Sequence, residues 1–304
     1  MSSESGHTPE GRGAVPSPSP SQSRSPEPTS VWPSTERRKV PRAPDAEAPD
    51  GVFGSGPTVI GHRGLGCGVV AGHPENTLGS FTAAAALGAP WVEVDVRRTA
   101  DDVLVVAHDA AYADGTRIAD LPGADTDERG TLRLGRLLDE LPPEVGVDLD
   151  LKSAMEDCLR PGADTTAGLL GPVAAREAAR RPVMVSSFDP AALQQVRSDA
   201  PGVPLGWLTW RQFPLEAAVA GCGHLDVDVL GVHVGSLSRN PRDAASPVDV
   251  RAVARAVSLV HGCGRELLVW CPDPERAQVL VGAGADAVVV DEVSRALGAL
   301  TSAA

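Results

Sequence analysis

Short apolar runs alternate with longer amphipathic stretches from residue 57 to the end of the chain. Short runs rich in Val, Leu and Ile are typical of buried strands, and apolar residues at helical spacing predict helices between them. We predict strands at 58–61, 91–96, 103–109, 145–151, 182–188, 203–208, 228–234, 266–270 and 286–290. We predict helices near 76–88, 131–141, 165–180, 190–199, 214–221, 248–261, 273–282 and 292–301.

This alternation predicts a parallel sheet with helices on its outside. Apart from the run at 103–109, the pattern contains eight strand–helix units, and residues 57–304 match the roughly 250 residues typical of a (β/α)8 barrel. A doubly wound open sheet is the alternative, and it would place a glycine-rich phosphate loop after the first strand. The glycines that follow the first strand do not have that spacing. We therefore predict an α/β fold of the (β/α)8 TIM barrel class.

Residues 1–56 have a different composition from the rest of the chain. The first 50 residues contain ten Pro and ten Ser and almost no large apolar residue. Such a segment buries too little apolar surface to offset the conformational entropy of folding. We therefore predict a disordered Pro/Ser-rich tail over 1–56 and a barrel domain over 57–304.

Charge and composition limit the possible partners. The chain carries 27 basic and 40 acidic residues, a net charge of −13, and only 3% aromatic residues. Such a chain is a poor binder of nucleic acid or anionic membranes, so we expect neither as a partner. No apolar run approaches the roughly 20 residues of a transmembrane segment, and no signal peptide is evident. The five cysteines are scattered and form no Cys-x-x-Cys pair, so we expect a reduced cytoplasmic protein.

Acidic residues stand near the ends of two predicted strands, where this barrel class carries its chemistry. Glu93 and Asp95 are two residues apart on one strand and therefore share a face. Two buried neighbouring acids repel each other unless a cation lies between them. Asp148, Asp150 and Lys152 repeat the same spacing on a second strand.

Histidines and basic residues accompany these acids. His62 and Arg63 follow the first strand, and His108 and Asp109 end the run at 103–109. Lys152 is the only lysine of the predicted barrel domain, which suggests that an ammonium group is needed there. Taken singly, each group has a structural alternative, such as a half-buried histidine, a salt bridge or a turn cap. Together, at the ends of the first strands, they favour a functional site.

The segment "VIGHRG…HPENTLGSFTAAAALGAPWVEVDVRRTADDVLVVAHD" resembles the glycerophosphodiester phosphodiesterases. The resemblance continues through "TLRLGRLLDELPPEVGVDLDLK", "VSSFDP", "LLVWC" and "GADAVVVDEV", and it covers about residues 57–296. It implies a (β/α)8 barrel, in agreement with the strand count, and a metal-assisted hydrolysis of phosphodiesters.

The resemblance also implies a role for individual residues. The matched catalytic residues are His62 and His108, the metal ligands are Glu93, Asp95 and Asp150, the phosphate- and substrate-binding residues are Arg63, Lys152 and Trp270, and Glu75 and Asn76 belong to a loop beside the metal. Three carboxylates suit a hard cation, Mg²⁺ or Ca²⁺, which helps to neutralise the charge that resists attack on a phosphodiester. One histidine can accept a proton and the other can donate one, and the residues leave open which does which.

Four departures from the family pattern concern one metal ligand and the rim of the site. The third metal ligand is usually Glu, whereas Asp150 is one methylene shorter. The Arg-Thr-Thr run after the His-Asp pair is replaced by "AAYADGT", and the insertion at about 110–130 is short. Cys271-Pro272-Asp273 stands where Thr-Val-Asn is usual. We therefore expect an intact reaction centre and an altered substrate rim.

We predict a phosphodiesterase of lipid and glycerol metabolism that converts small-molecule glycerophosphodiesters to sn-glycerol 3-phosphate and an alcohol. One alternative is an enzyme of the sphingomyelinase D or lysophospholipase D type, although few aromatics are available for the exposed apolar loops of a lipid site. The other is a catalytically inactive barrel that binds a partner, which the retained histidines, acids and lysine disfavour. The sequence leaves open the alcohol headgroup, the choice between Mg²⁺ and Ca²⁺, and the oligomeric state.

Overall fold

Eight parallel strands form a closed barrel in the computed structural model of the protein, which describes residues 51–301 except Ser55 and Ala244. The barrel strands are β1 (Thr58–Gly61), β2 (Trp91–Arg98), β3 (Gly146–Leu151), β4 (Val183–Ser187), β5 (Leu205–Thr209), β6 (Val229–His233), β7 (Glu266–Trp270) and β8 (Ala287–Val290). β8 pairs with β1, which closes the sheet, so the predicted barrel is confirmed and the open-sheet alternative is wrong.

Helices surround the barrel, as the strand–helix alternation predicts. Within the described part of the chain they are α1 (Leu78–Ala86), α2 (Gly123–Glu128), α3 (Leu134–Glu140), α4 (Thr166–Glu177), α5 (Pro190–Asp199), α6 (Leu215–Leu225), α7 (Val250–Gly262), α8 (Pro274–Gly282) and α9 (Val293–Thr301). Several begin at a side chain that accepts a hydrogen bond from the first turn, as Asp189 does for α5 and Asp273 for α8.

Side chains alternate between two cores along each barrel strand. On β2, Val92 and Val94 pack outward against the helices, and Trp91 packs inward among the residues that fill the barrel. The inward position opposite Trp91 on β3 is Gly146, where a Cβ atom would lie 2.4 Å from the Trp91 ring. The strands are therefore buried on both faces, which explains why they read as nearly continuous apolar runs.

One predicted strand does not belong to the barrel. Residues Leu104–Val106 pair antiparallel with the end of β2, and Leu132–Arg133 pairs with them. His108 therefore lies in a loop beyond a short strand rather than at the end of a barrel strand. A further hairpin, Val69–Val70 with His73–Pro74, lies in the loop after β1.

Residues 51–54, which the composition assigns to the tail, contact the amino-terminal end of the barrel. Phe53 is 7% exposed, and its ring meets the edge of Trp91 at a centroid distance of 5.5 Å. The Val52 amide donates to Glu266 at 2.5 Å, and Thr58 Oγ1 donates to the Phe53 carbonyl at 3.2 Å. The predicted boundary between tail and barrel at residue 56 misses these contacts, because a segment of four residues is too short to show a periodic pattern. Predictions for residues 1–50 lie outside the described residues.

None of the helices in the described ranges is both long and apolar enough to cross a membrane.

The floor of the barrel generates a stability prediction. Deletion of residues 1–50 is expected to leave the melting temperature unchanged, because their composition provides no core. Phe53→Ala in that truncated chain is expected to lower the unfolding free energy by about 3 kcal/mol, because it empties a buried aromatic position. Thermal melts of both proteins check this. Equal melting temperatures for the truncated chain and its Phe53→Ala variant would show that the contact of Phe53 with Trp91 contributes nothing to stability.

Candidate active site

The polar residues of the site face the barrel interior, at every second position of the strands that carry them. On β2, Trp91 is followed inward by Glu93 and Asp95, and the adjacent inward positions of β3 are Asp148 and Asp150. Strand pairing sets Glu93 beside Asp148 and Asp95 beside Asp150. Two neighbouring strands thus bring four carboxyl groups to one end of the barrel interior.

Three of these carboxyl groups converge on one point. Glu93, Asp95 and Asp150 each offer an oxygen, and these oxygens lie within 4.8 Å of one another. All three side chains are buried, and Glu93 Oε1 and Asp150 Oδ1 have no hydrogen-bond partner. Asp150 reaches this point although it is one methylene shorter than the usual glutamate. A buried carboxylate oxygen without a partner is unfavourable, so an oxygen-binding cation fits this set of donors.

Burial and mutual repulsion change the acidity of the cluster. Burial, together with the nearby charges of Asp95 and Asp150, raises the pKa of Glu93 well above its usual range. Burial likewise raises the pKa of Asp150 to about 6 although Lys152 opposes it, and raises that of Asp148 to about 7. Burial is the main cause of all three shifts, and the neighbouring carboxylates add to each of them.

Asp95 differs because it lies between two cationic side chains. Lys152 Nζ is 3.0 Å from Asp95 Oδ1, and Arg63 Nε is 3.2 Å from Asp95 Oδ2. Burial alone would raise the pKa of Asp95, but these two charges and the Asn76 amide lower it to about 2. Lys152 also forms an ion pair with Asp150. Lys152 and Arg63 therefore hold the acidic cluster together from two sides.

The loop after β1 positions Arg63. The Arg63 amide donates to Glu93 at 3.0 Å, and its guanidinium donates to Glu75 at 2.6 Å. Asn76 Nδ2 donates to Asp95 at 2.8 Å. Arg63 and Asn76 both have positive φ angles, +51° and +57°, which are strained for side chains with a Cβ atom. Glu75 thus contacts Arg63, and Asn76 contacts Asp95, behind the acidic cluster.

His62 is the next inward residue after β1, and Asp291 fixes its orientation. Asp291 follows β8, and its Oδ1 is 2.7 Å from His62 Nδ1. Nε2 then faces the acidic cluster, 3.9 Å from Glu93 Oε2. Burial alone would lower the pKa of His62, but the hydrogen bond to Asp291 and the neighbouring Cys271 raise it to about 9.

His108 approaches the cavity from the insertion after β2. Arg97, at the end of β2, donates to the His108 carbonyl through Nε at 3.0 Å and Nη2 at 2.5 Å. His108 Nδ1 is 2.8 Å from Asp109, and the imidazole is 42% exposed. His108 is therefore held at the mouth, whereas His62 is held near the buried carboxylates.

Aromatic side chains form the wall opposite these polar groups. Trp270, at the end of β7, meets the edge of Phe188 at 5.5 Å and of His233 at 4.5 Å. Phe188 stacks on Trp210 at 4.0 Å, and Trp210 is 62% exposed at the rim. Lys152 Nζ lies 5.5 Å from the Phe188 ring centre. The site therefore has one charged wall and one apolar wall.

A cavity of about 640 Å³ joins the two walls. Of the sequence-predicted residues, it is lined by His62, Arg63, Glu93, His108, Asp150, Lys152 and Trp270. Sequence reasoning did not assign roles to Asp291, Phe188 or Trp210. Each is the next inward position after a barrel strand, so extending the period-two alternation past the strand ends would have found them.

The comparisons with known proteins agree with this geometry. The sequence profile of the glycerophosphoryl diester phosphodiesterase family matches residues 62–295. The chain belongs to this family. The predicted resemblance is confirmed, and family membership places the chain among the phosphodiesterases.

Two solved structures in this family share the fold. A phosphodiesterase of Oleispira antarctica in complex with the product sn-glycerol-3-phosphate is 24% identical, with a TM-score of 0.65 over 81% of this chain and 97% of that chain. The glycerophosphodiester phosphodiesterase of Thermotoga maritima is 22% identical, with a TM-score of 0.60 over 80% of this chain and 98% of that chain. At such identities the likeness shows the barrel fold alone.

Curated members of the family match to different extents. The Mycobacterium tuberculosis protein named "Probable glycerophosphodiester phosphodiesterase 2" is 28% identical over 239 residues, which cover 72% of this chain and 82% of that protein. "Glycerophosphocholine phosphodiesterase GDE1" of Eremothecium gossypii is 50% identical over 60 residues, 18% of this chain. That match spans only 4% of the length of the Eremothecium protein.

The ion pairs of Lys152 with Asp95 and Asp150 predict how stable the chain is in the absence of metal. In EDTA, Lys152→Met is expected to lower the unfolding free energy by about 3–5 kcal/mol, because it leaves Asp95 and Asp150 buried with one cation fewer. Urea denaturation measures the loss.

Arg136→Met is the matched control, because Arg136 forms an exposed pair with Glu140 on α3. It is expected to change stability by less than about 0.5 kcal/mol. If the two variants lose the same stability, Lys152 does not offset the buried acids.

Proposed function

We propose that this chain hydrolyses glycerophosphodiesters to sn-glycerol 3-phosphate and an alcohol with the help of a divalent cation. The observation that carries the proposal is the convergence of Glu93, Asp95 and Asp150 beside His62, with two buried carboxylate oxygens left without partners. A site that only bound a partner would have no need for this unfavourable arrangement. The two curated relatives described above carry names of phosphodiesterases of the same substrate class.

The cation is held by Glu93, Asp95 and Asp150. Their oxygen-only donor set suits Mg²⁺ or Ca²⁺ rather than a softer metal. When bound, such an ion neutralises charge on the phosphate oxygens and offsets the repulsion among the three acids.

Arg63 and Lys152 hold the phosphate. Both side chains line the cavity, and both are anchored on Asp95, so their charges are fixed before substrate arrives. Preorganised cations of this kind stabilise the negative charge that develops on a phosphoryl group during its transfer. Lysine, unlike the arginines of the barrel, presents its charge at one point, within reach of both Asp150 and the cavity.

His62 and His108 are the general acid and base. Asp291 holds Nδ1 of His62, so Nε2 is the nitrogen that exchanges a proton inside the cavity. His108 faces the cavity from the insertion after β2 and is positioned through its backbone by Arg97. The leaving alkoxide requires a proton, and the attacking hydroxyl or water must lose one, so one histidine serves each side of the phosphorus.

Trp270 belongs to the apolar wall and packs against the carbon atoms of the substrate. Trp270 forms this wall with Phe188 and Trp210. An apolar aromatic surface suits the carbon atoms of glycerol or of a small headgroup better than a charged side chain would. A cytoplasmic location stays a prediction of the sequence, and so does the disordered tail for residues 1–50.

The reaction products test the proposal. With Mg²⁺ or Ca²⁺, the purified chain is expected to convert glycerophosphocholine to sn-glycerol 3-phosphate and choline. Phosphorus NMR identifies the phosphorus-containing product. Phosphocholine as the product would contradict the proposed cleavage. Turnover of lysophosphatidylcholine or sphingomyelin in place of glycerophosphocholine would support the lipid-diester alternative, and no turnover of any diester would support the inactive binding protein.

The two histidines give a sharper prediction. His62→Ala and His108→Ala are each expected to lower kcat about 10²–10⁴-fold on glycerophosphocholine while leaving the fold intact, as circular dichroism can verify. On a p-nitrophenyl phosphodiester, whose leaving group needs no proton, the variant that lacks the general acid is expected to recover most of its rate.

The matched control is His261→Ala, because His261 pairs with Asp286 far from the cavity. This control is expected to keep the full rate on both substrates. If either active-site variant keeps a near-normal kcat on glycerophosphocholine, that histidine is not part of the acid–base pair.

A further inference from the structure

A second group of metal-ligating atoms lies behind His62, on the side of the imidazole that faces away from Glu93. His62 Nδ1, Cys271 Sγ and Asp291 Oδ1 lie within 4.8 Å of one another. His62 Nε2 is directed toward Glu93 and the acidic cluster, so the two groups lie on opposite sides of one imidazole ring. Cys271 and Asp291 have no part in the proposed cation site.

The donors of this second group differ from those of the first. Glu93, Asp95 and Asp150 offer oxygen alone, whereas the second group offers nitrogen, sulfur and oxygen. Thiolate and imidazole select zinc and related borderline metals, whereas Mg²⁺ and Ca²⁺ prefer oxygen. Two neighbouring sites, one on each side of the His62 ring, would therefore bind metals of different chemical softness.

The distances are close to those that a tetrahedral ion requires. His62 Nδ1 is 2.7 Å from Asp291 Oδ1 and 4.0 Å from Cys271 Sγ. Zinc bonds of about 2.0–2.3 Å hold neighbouring ligand atoms about 3.4–3.6 Å apart, so these two separations need to change by less than about 1 Å. The Asp291 side chain is 44% exposed, which leaves room for water as a fourth ligand.

Backbone structure holds Cys271 in place. Its φ angle is +59°, and its amide donates to the Val289 carbonyl at 2.9 Å. The thiol is therefore presented to His62 from the end of β7, while Asp291 approaches from the end of β8. The Cys67 amide donates to Asp291 Oδ1 at 2.9 Å and fixes the carboxylate from the third side.

We propose that His62, Cys271 and Asp291 form a Zn²⁺ site that inhibits the enzyme. Binding replaces the protons on the thiol and on Nδ1, and both protons pass to solvent. With zinc on Nδ1, the proton of the neutral ring lies on Nε2. The ring then has no free lone pair to accept a second proton and is a weaker donor than an imidazolium, so His62 serves neither as base nor as acid.

Metal binding can be tested without any activity. Co²⁺ added to the Mg²⁺-loaded wild-type chain is expected to give the near-ultraviolet charge-transfer absorption of a cobalt–thiolate bond. Cys271→Ser is expected to abolish this absorption. Cys158→Ser is the matched control and is expected to retain it, because Cys158 is an exposed cysteine of the 3₁₀ segment Met155–Leu159. Absence of the band in wild type, or its persistence in Cys271→Ser, would overturn the site.

The wild-type chain provides a second readout that needs no variant. Zn²⁺ is expected to protect Cys271 from alkylation by iodoacetamide, measured by peptide mass spectrometry, at Mg²⁺ concentrations that saturate the carboxylates. Unchanged alkylation of Cys271 in the presence of Zn²⁺ would overturn the site even if the substituted chain did not fold.

The inhibitory consequence rests on the proposed function and is tested separately. At saturating Mg²⁺, the concentration of Zn²⁺ that halves turnover is expected to rise at least tenfold in Cys271→Ser relative to Cys158→Ser, each scaled to its own rate without zinc. An equal half-inhibitory concentration in both variants would overturn the inhibitory role. Failure of the proposed function abolishes turnover but leaves the cobalt and alkylation results unaffected.

Discussion

The crowding of carboxyl groups inside the barrel is the constraint on which the site depends. Strand pairing fixes Glu93, Asp95 and Asp150 within 4.8 Å of one another, so the chain cannot relieve their repulsion by separating them. At an effective dielectric constant of about 20, each pair of charges at this distance repels by roughly 3–4 kcal/mol. Lys152 and Arg63 oppose this repulsion, and two oxygens are still left without partners. The proposed divalent cation would neutralise the remaining negative charge.

The surrounding loops maintain this arrangement of charges. Arg63 keeps its position through contacts with Glu75 and Glu93, in a backbone conformation that is strained for arginine. The loop itself is pressed against the end of β8, because a Cβ atom on Gly66 would lie 2.0 Å from the Asp291 carbonyl oxygen. The first and last strands of the barrel are thereby linked, and His62 is aligned between them. Strain of this kind persists only where surrounding contacts over-determine the local structure.

Most of the fold and the polar half of the site follow from periodicity. Strand–helix alternation predicts the barrel, and period-two spacing places Glu93 with Asp95 and Asp150 with Lys152 on inward faces. Periodicity does not predict where His108 lies in the fold. Its position depends on an antiparallel insertion and on the hydrogen bond that Arg97 donates to its carbonyl. The pairing of His62 with Asp291 joins the first and last strands of the barrel, and the pairing of Phe188 with Trp210 depends on the register of two neighbouring strands. Only barrel closure and register bring such residues together.

Metal binding to the EDTA-treated protein tests the central claim most directly. Isothermal calorimetry is expected to show one equivalent of Mg²⁺ or Ca²⁺ per chain, with loss of binding in Glu93→Gln and weaker binding in Asp150→Asn. At about 100 times the dissociation constant, the cation stabilises the fold by about 2.7 kcal/mol, which raises the melting temperature by roughly 5–10 °C. If neither cation binds or raises the melting temperature, and hydrolysis continues in EDTA, the carboxylates do not form a metal centre.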